Sequence, residues 1–335
     1  MHDLEIQFSM FIFWTQRLGG VLGVMGLSAT LWCHAQPAFP SKPITLVVPT
    51  AAGGTTDLSA RMLAQALSPV LGQSIVVDNK GGGNGNIAAS QVKRAPADGY
   101  TLLMQYSGYH VISPHVTRQK QWDLSDFQAV ANVISAPQII VVRADLPAQN
   151  LDELIAYARA NPGKLNYASS GNGSLQHVTG AMLEQQAGIK MVHVPYKGTG
   201  PTLQDLLAGQ VDLTFGTAPP FMPHIAAGKL RVLAVTSKDR LSSLPQVPTT
   251  AEAGYPKVNA TSWFAVFAPA ATPKPVVDKL AADIQQVVRS AAFVQKAQEQ
   301  GATADYLNPS QLSERVNAEF KSWQSVVQSS KIQAE

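Results

Sequence analysis

Three short loops carry the residues best suited to hold a small anion. They are Pro49-Thr-Ala-Ala-Gly-Gly-Thr-Thr-Asp57, Ser169-Ser-Gly-Asn-Gly-Ser174 and Tyr196-Lys-Gly-Thr-Gly200. Each follows a β-rich run and leads into a helical pattern. Glycine lets a backbone approach a ligand closely. First-turn N–H groups and the helix dipole favour negative charge there, and Ser and Thr hydroxyls add donors. Such an array suits a carboxylate. Any one loop read alone is equally a tight turn with a capping side chain, Asp57 and Ser174 among them. Three of them on two similar units favour binding.

Other chemistries find less support. Gly83-Asn-Gly85-Asn-Ile-Ala88 fits G-x-G-x-x-A. It follows the second strand of its unit rather than the first, and no acid ends the next strand, so it is a weak dinucleotide signal. His110 and His115 are five apart, and His177, His193 and His224 are isolated. No H-x-x-x-H or H-E-x-x-H metal spacing occurs, and no G-x-S-x-G elbow marks a nucleophile. His177, near a helix start, reads as a packed or capping residue before it reads as a donor to a ligand. Tyr106, Ser107 and Tyr109 sit just past a strand, where they would line a cleft or fill a core. No metal and no cofactor is expected.

The elements that must position these loops alternate. Ile44–Val48, Ser74–Val77, Leu102–Met104, Gln128–Val133 and Gln138–Arg143 read as strands. A helix runs through Leu58, Met62, Leu63, Ala66 and Leu67, and another starts at Asn86. Asn150 caps a helix over Leu151–Ala160, with Glu153 at the reciprocal position. The pattern then restarts. Leu165–Ala168, Met191–Val194, Leu213–Phe215, Leu230–Val235 and Trp263–Ala268 read as strands, with helices over Gln176–Ala187, Pro201–Ala208 and Pro219–Ala227. Pro275–Val288 and Pro309–Val327 are helical. Two α/β units with mostly parallel sheets follow. Gln138–Arg143 and Ser262–Ala268 are placed to cross between them as a hinge. Ligands of such sheets bind beyond the strand carboxyl ends, hence between the units.

The N-terminus fixes the expected compartment. Leu18–Trp32 is an apolar run after Arg17, followed by Cys33-His-Ala35. This is the layout of a secretory signal cleaved near Ala35, too short to span a bilayer. Asp3 and Glu5 spoil the flank. Translation from Met10 leaves Arg17 as the only charge ahead of the core. Trp32 before Cys33 argues against lipidation. Cleavage removes the only Cys, and with it disulfide and thiolate chemistry. Loss of Arg17, Asp3 and Glu5 moves the net charge from +3 to +4, with no basic cluster of the kind that nucleic acid requires. A weakly basic protein attracts small anions. About 300 mature residues suits two domains.

The chain resembles the substrate-binding proteins of tripartite tricarboxylate transporters, the Bug receptors, from about Phe39 to the C-terminus. The resemblance rests on Phe39-Pro-Ser-Lys-Pro-Ile44, Val48-Pro-x-x-x-Gly-Gly-x-x-Asp57, Val77-Asp-Asn-Lys-x-Gly82 and Asp98-Gly-Tyr-Thr-Leu102. It continues through Pro162-Gly-Lys-Leu-Asn-Tyr-Ala-Ser-Ser-Gly-Asn-Gly-Ser174, Val192-His-Val-Pro-Tyr-Lys-Gly198, Leu206-Leu-Ala-Gly-Gln-Val-Asp212 and Val247-Pro-Thr249. It implies a type II periplasmic binding protein: two α/β lobes around a hinged interdomain cleft. Lobe 1 is expected over 40–140 plus 266–335 and lobe 2 over 141–265, after a signal peptide over 1–35.

The resemblance also implies function: a periplasmic, non-enzymatic receptor that closes on a small organic carboxylate and hands it to permease subunits in the membrane. Family members hold the carboxylate through loops that correspond to Gly53, Gly54, Thr55 and Thr56 in lobe 1 and to Ser170, Asn172 and Ser174 in lobe 2. Tyr106, Ser107, Lys197, Gly198 and Thr199 add contacts, and Thr217 joins them. Two departures bear on the ligand. Gly216 stands where many relatives carry an Asp suited to a ligand amine, so an amino acid is disfavoured. Thr50 stands where an aromatic is frequent, leaving more room. Two rival outputs remain open on sequence grounds: a loaded receptor that signals to a membrane sensor, and a secreted α/β hydrolase of carboxylate esters.

Overall fold

The computed structural model describes residues 39–117 and 121–329. The expected signal segment, with Arg17, Cys33 and the cleavage near Ala35, lies outside the described residues.

Among the described residues, ten strands form one sheet. They are β1 Ile44–Val48, β2 Ile75–Asn79, β3 Thr101–Tyr106, β4 Phe127–Arg143, β5 Asn166–Ser169, β6 Val192–Pro195, β7 Leu213–Thr217, β8 Leu230–Val235, β9 Thr261–Pro269 and β10 Thr303–Leu307. The order is β2-β1-β3-β9-β4-β7-β5-β6, with β8 and β10 also paired to β4. β1 pairs in parallel with β2 and β3, and β5 does so with β6 and β7. β4 and β9 run antiparallel to their neighbours.

The two predicted strands Gln128–Val133 and Gln138–Arg143 are one 17-residue strand, β4. Pro137, which cannot donate to a ladder, falls between them. Here it sits where the strand changes partners. Residues up to Pro137 pair with β9, and residues from Gln138 pair with β7. The changeover is held by buried polar groups. Gln138 N–H donates to Ala260 O at 3.0 Å, and its amide Nε2 donates to Ser262 Oγ at 2.7 Å. Thr236 Oγ1 donates to Ala260 O at 2.6 Å. Two β-bulges in the β4–β9 ladder add local twist and bend.

Each half of the sheet has its own apolar core. The first gathers Leu46, Leu63, Leu103, Val130, Phe267 and Ile284 among others. The second half is packed on both faces, by a cluster around Leu154, Tyr167, Leu183 and Phe215 and another around Ile139, Leu206 and Phe221. Apolar residues on both faces of a strand are what a sheet covered by helices on both sides demands.

The helices are α1 Thr55–Leu71, α2 Asn86–Lys93, α3 Leu151–Ala160, α4 Leu175–Ala187, α5 Thr199–Leu207, α6 Met222–Ala226, α7 Lys274–Val288, α8 Ala291–Glu299 and α9 Pro309–Ser329. The Asn150 cap is present, accepting the Glu153 N–H at 2.9 Å. Glu153 reaches back to the N–H of Gln149 at 2.7 Å, one residue earlier than a capping box requires. The helix expected over Pro219–Ala227 is only the single turn α6, since the chain at Ala218–Phe221 turns first. α8 and β10 escape the sequence reading.

α7 and α9 pack on the first half, as the buried Leu280, Ile284, Leu312 and Val316 show. A polar chain fastens α9 there. Asp305 Oδ2 accepts from Ser135 Oγ at 2.5 Å and from Arg315 at 3.1 Å. Arg315 Nε donates to Glu319 at 2.9 Å, and Glu319 accepts the buried Trp263 Nε1–H at 2.8 Å. Among the described residues no helix is long and apolar enough to cross a membrane.

Candidate functional site

The first glycine loop is built by a chain of polar bonds behind it. The N-cap of α1 is Gly54, in extended backbone with no side-chain cap. Asp57, read from sequence as the cap, is the third helical residue. Its Oδ2 reaches back to accept the Gly53 N–H at 2.9 Å. The reason is geometric: with Gly at the cap, the carboxylate three residues on, in the first turn, is the group close enough to reach that N–H. Arg61 Nε lies 3.0 Å from the Asp57 carboxylate, and its Nη2 donates to Asn79 Oδ1 at 3.2 Å. Asn79 Nδ2 donates in turn to Thr50 O at 3.1 Å. The segment from Thr50 to Gly54 is thereby fixed, and Thr55 and Thr56 are buried at its end.

The second loop leads into α4. Ser174 is its N-cap as predicted, with Oγ accepting the His177 N–H at 3.3 Å. Gly171 (φ +132°) and Gly173 (φ +68°) take backbone conformations that other residues avoid. The third loop leads into α5, whose N-cap Gly198 has φ +130°. Its orientation comes from Thr202 Oγ1, which donates to Gly198 O at 3.1 Å.

These loops meet. Thr55 Oγ1 and Thr217 Oγ1 are 2.6 Å apart. The Ala51 N–H donates to Lys197 O at 3.2 Å. Tyr106, at the end of β3, accepts the Leu175 N–H at 3.1 Å and donates to Gln176 Oε1 at 3.1 Å. Ser170 Oγ also donates to Gln176 Oε1, at 2.9 Å. Tyr109 OH donates to Ser170 O. Burial pushes the Tyr106 hydroxyl up to about 12 and the Tyr109 hydroxyl higher still, so both stay protonated donors.

The space left between these loops is partly open and narrow, with a volume of about 10 Å³. From the first half it is lined by Thr50, Gly54, Thr55, Thr56 and Tyr106, and from the second by Ser170, Gln176, Thr199 and Thr217. Ser262 and Phe264 of β9 close it. Every lining side chain is uncharged. The first turns of α1, α4 and α5 each contribute a residue to the wall. Among the described residues no cluster of His, Cys, Asp or Glu could hold a metal ion.

Of the residues singled out from sequence, seven line this space: Gly54, Thr55, Thr56, Tyr106, Ser170, Thr199 and Thr217. Asn172 and Lys197 instead line an adjoining opening of about 210 Å³, with Asn84 and Tyr109. Gly53 stands behind the wall, held by Asp57. Ser107 is buried and accepts the Trp263 N–H at 3.4 Å, and Ser174 is spent on its cap. Gly198 faces Thr50 across the loop contact, with room for a Cβ only 3.1 Å from that side chain. Sequence reasoning missed Gln176, Ser262 and Phe264. Gln176 is the first residue of a predicted helix, a signal that could have drawn it in. Thr50, noted only as a small replacement, has a buried Oγ1 with no partner among the described residues, a group that costs free energy unless it finds one. The G-x-G-x-x-A segment serves packing: a Cβ on Gly85 would stand 2.7 Å from the Tyr109 ring.

The chain is similar to known proteins in sequence and in fold. Residues 59–332 match the family model described as the tripartite tricarboxylate transporter family receptor. The chain is 35% identical over 317 residues to Protein BugT of Bordetella pertussis, covering 93% of this chain and 96% of BugT. Among solved structures, Rpa4515 of R. palustris, determined with adipate, superposes with a TM-score of 0.86 at 38% identity, covering 89% of this chain and all of that one. MatC (Rpa3494) from Rhodopseudomonas palustris, with bound malate, gives 0.82 at 31% identity, covering 86% of this chain and all of MatC.

Proposed function

The chain belongs to the family of tripartite tricarboxylate transporter receptors, solute-binding proteins rather than enzymes, and on that premise we propose that it captures a small organic carboxylate lacking an amine. The acid is taken between lobe 1 (40–140 plus 266–335) and lobe 2 (141–265), and the loaded protein delivers it to membrane permease subunits from the periplasm, after cleavage of a signal near Ala35. Similar proteins were solved with adipate and with malate.

One observation carries the reading. First-turn residues of three helices, two of them from the second half of the sheet, converge on a single space walled by uncharged donors. Backbone amides and hydroxyls there compensate one carboxylate without a cation. Gly54, Thr55 and Thr56 hold it from one side, with Gly53 fixed behind them, and Ser170 and Thr199 hold it from the other, with Asn172, Ser174 and Gly198 shaping their loops. Tyr106 and Thr217 complete the wall, Ser107 packs behind it, and Lys197 stands at the adjoining opening. Closure is favoured because only the closed state makes both sets of contacts. Three or four bonds to a charged group, at roughly 1.5–3 kcal/mol each, support affinity in the micromolar range, about −8 kcal/mol.

The uncharged wall also excludes an ammonium partner. No carboxylate lines the space to pair with a ligand amine, and Gly216 cannot supply one in place. A Cβ there would stand 2.5 Å from the Phe221 ring. A thermal-shift and calorimetric panel of mono-, di- and tricarboxylates against the same skeletons carrying an α-amine tests this. The plain acids are expected to bind at least about tenfold more tightly, a difference of 1.4 kcal/mol. An amino acid that outranks them would reject the ligand class.

A further inference from the structure

Behind the Ser169–Ser174 loop stands a pair of imidazoles that capture does not touch. His177, in the first turn of α4, and His193, on β6, stack with ring centroids 3.8 Å apart and planes 14° from parallel. His177 Nδ1 accepts the Gly173 N–H at 3.1 Å. That bond places the His177 proton on Nε2, an assignment made by the network. His193 Nε2 lies 2.6 Å from Ser169 Oγ, and that hydroxyl accepts the Gly171 N–H at 3.1 Å. Two rings thus grip the loop at both ends, at Gly171 through Ser169 and at Gly173 directly. The loop needs such a grip, because both glycines sit at positive φ, where a glycine backbone has little stiffness of its own.

We propose that His177 and His193 are positioning residues, a neutral stacked pair that fixes the backbone from Ser170 to Asn172 in the geometry anion capture requires and releases it when the pair is charged. The positioning rests on the capture reading above, since it acts on the loop assigned to the carboxylate. Charging His177 turns Nδ1 into a donor facing the Gly173 N–H, and charging both rings sets two cations against each other. Burial pushes His177 down to about 3, with His193 adding to it, and pushes His193 down to about 4. The pair is therefore neutral throughout the ordinary range.

Two further titratable groups lie on the elements around the pair. Tyr167 on β5 lies 5.1 Å from the His193 ring and 6.4 Å from that of His177. Glu184, further along α4, is engaged by the Met191 N–H at 2.7 Å, and burial raises it toward the neutral form, with Lys190 opposing. Both histidines have folded values below their ordinary 6.5. The stability they contribute is present above pH 6.5 and is withdrawn as pH falls from there toward 4 and below.

The test follows the Gly173 amide by NMR and hydrogen exchange in the wild-type protein, His177→Leu and His177→Asn, with adipate affinity measured by calorimetry on the same samples. Asn places Oδ1 where Nδ1 stood and keeps the acceptor. His177→Leu is expected to speed Gly173 exchange and weaken adipate binding, each by about tenfold or more, while His177→Asn stays near wild type at pH 7.5. In the unliganded wild type the Gly173 amide shift holds steady down to pH 5 and changes below it, and in His177→Asn that change is reduced to the part His193 contributes. An unaltered Gly173 amide in His177→Leu, or a His177→Asn as impaired as His177→Leu, overturns the proposal. If His177→Leu does not fold, the wild-type titration and the pair His193→Gln and His193→Met decide, with only Gln expected to keep the loop. A wild-type protein indifferent to adipate counts against the ligand reading, and Gly173 exchange still decides the positioning role.

Discussion

Gly200→Ala is expected to cost at least about a hundredfold in affinity for the best-binding carboxylate, near 2.7 kcal/mol, while leaving the unliganded melting temperature within a few degrees of wild type. Gly200 is the second residue of α5, and a Cβ there would stand 2.1 Å from Ala52 O. The obstacle is backbone, which no rotamer change can move. Ala52 belongs to the opposite half, so the methyl group obstructs the approach of the two loops rather than the folding of either half. Inside its own helix the change is benign, because Ala is the better helix former by roughly 0.5–1 kcal/mol. Gly54 is the milder position, where a Cβ would meet the Thr199 side chain at 3.4 Å. Gly173 is the less clean one, since its positive φ and a Cβ contact of 2.0 Å to Val116 burden the fold as well as binding. Calorimetry with differential scanning separates the two effects. A Gly200→Ala protein that binds as tightly as wild type would show that the loops need not come together.

Asp57→Ala has the second largest expected effect, and it strikes stability and binding together. The carboxylate is buried and ties the Gly53 N–H to the Arg61–Asn79–Thr50 chain. Its removal strands a donor at the N-terminus of α1 and leaves Arg61 without its ion partner. Loss of a charged hydrogen bond of this kind costs roughly 1.5–3 kcal/mol. The melting temperature should fall by about 2–4 °C per kcal/mol in a chain of this size. Affinity falls too, because the Gly53–Gly54 backbone loses the group that aims it. Asp57→Asn keeps an acceptor oxygen and is expected to fall between the two. Thermal unfolding and calorimetry on both variants check this, and a full loss of stability in Asp57→Asn equal to that in Asp57→Ala would assign the role to charge rather than to the hydrogen bond.

The three glycine loops were legible because their signal is local. Each is a β-rich run, a stretch of Gly, Ser and Thr, and a helical period, all within about fifteen residues. The wall they form was only partly legible. Ser262 and Phe264 reach it from β9, whose neighbour in the sheet is β3, and Phe264 stands opposite Tyr106 across more than 150 residues of sequence. Nothing near Ser262 in the chain announces that pairing. Gln128–Val133 and Gln138–Arg143 read as two strands for a related reason: whether the residues between them pair depends on which strand lies alongside. β10 was missed because Thr303–Leu307 alternates weakly and is half-buried at best, and its pairing to β4 is supplied by tertiary contact through Asp305. Gln176 shows the opposite case. Its type and place were visible, but its role depends on Tyr106 and Ser170 both donating to one amide oxygen, a convergence that a linear reading cannot contain.

A crystal structure of the protein with the tightest acid from the carboxylate panel addresses the central claim most directly. The account predicts one carboxylate group lying between the Gly54–Thr56 turn and the Ser170 and Thr199 turns, within hydrogen-bond distance of donors from both sides, with Thr50 Oγ1 engaged by the guest or its water. An acid seated outside that space, or held by one side alone, would contradict it.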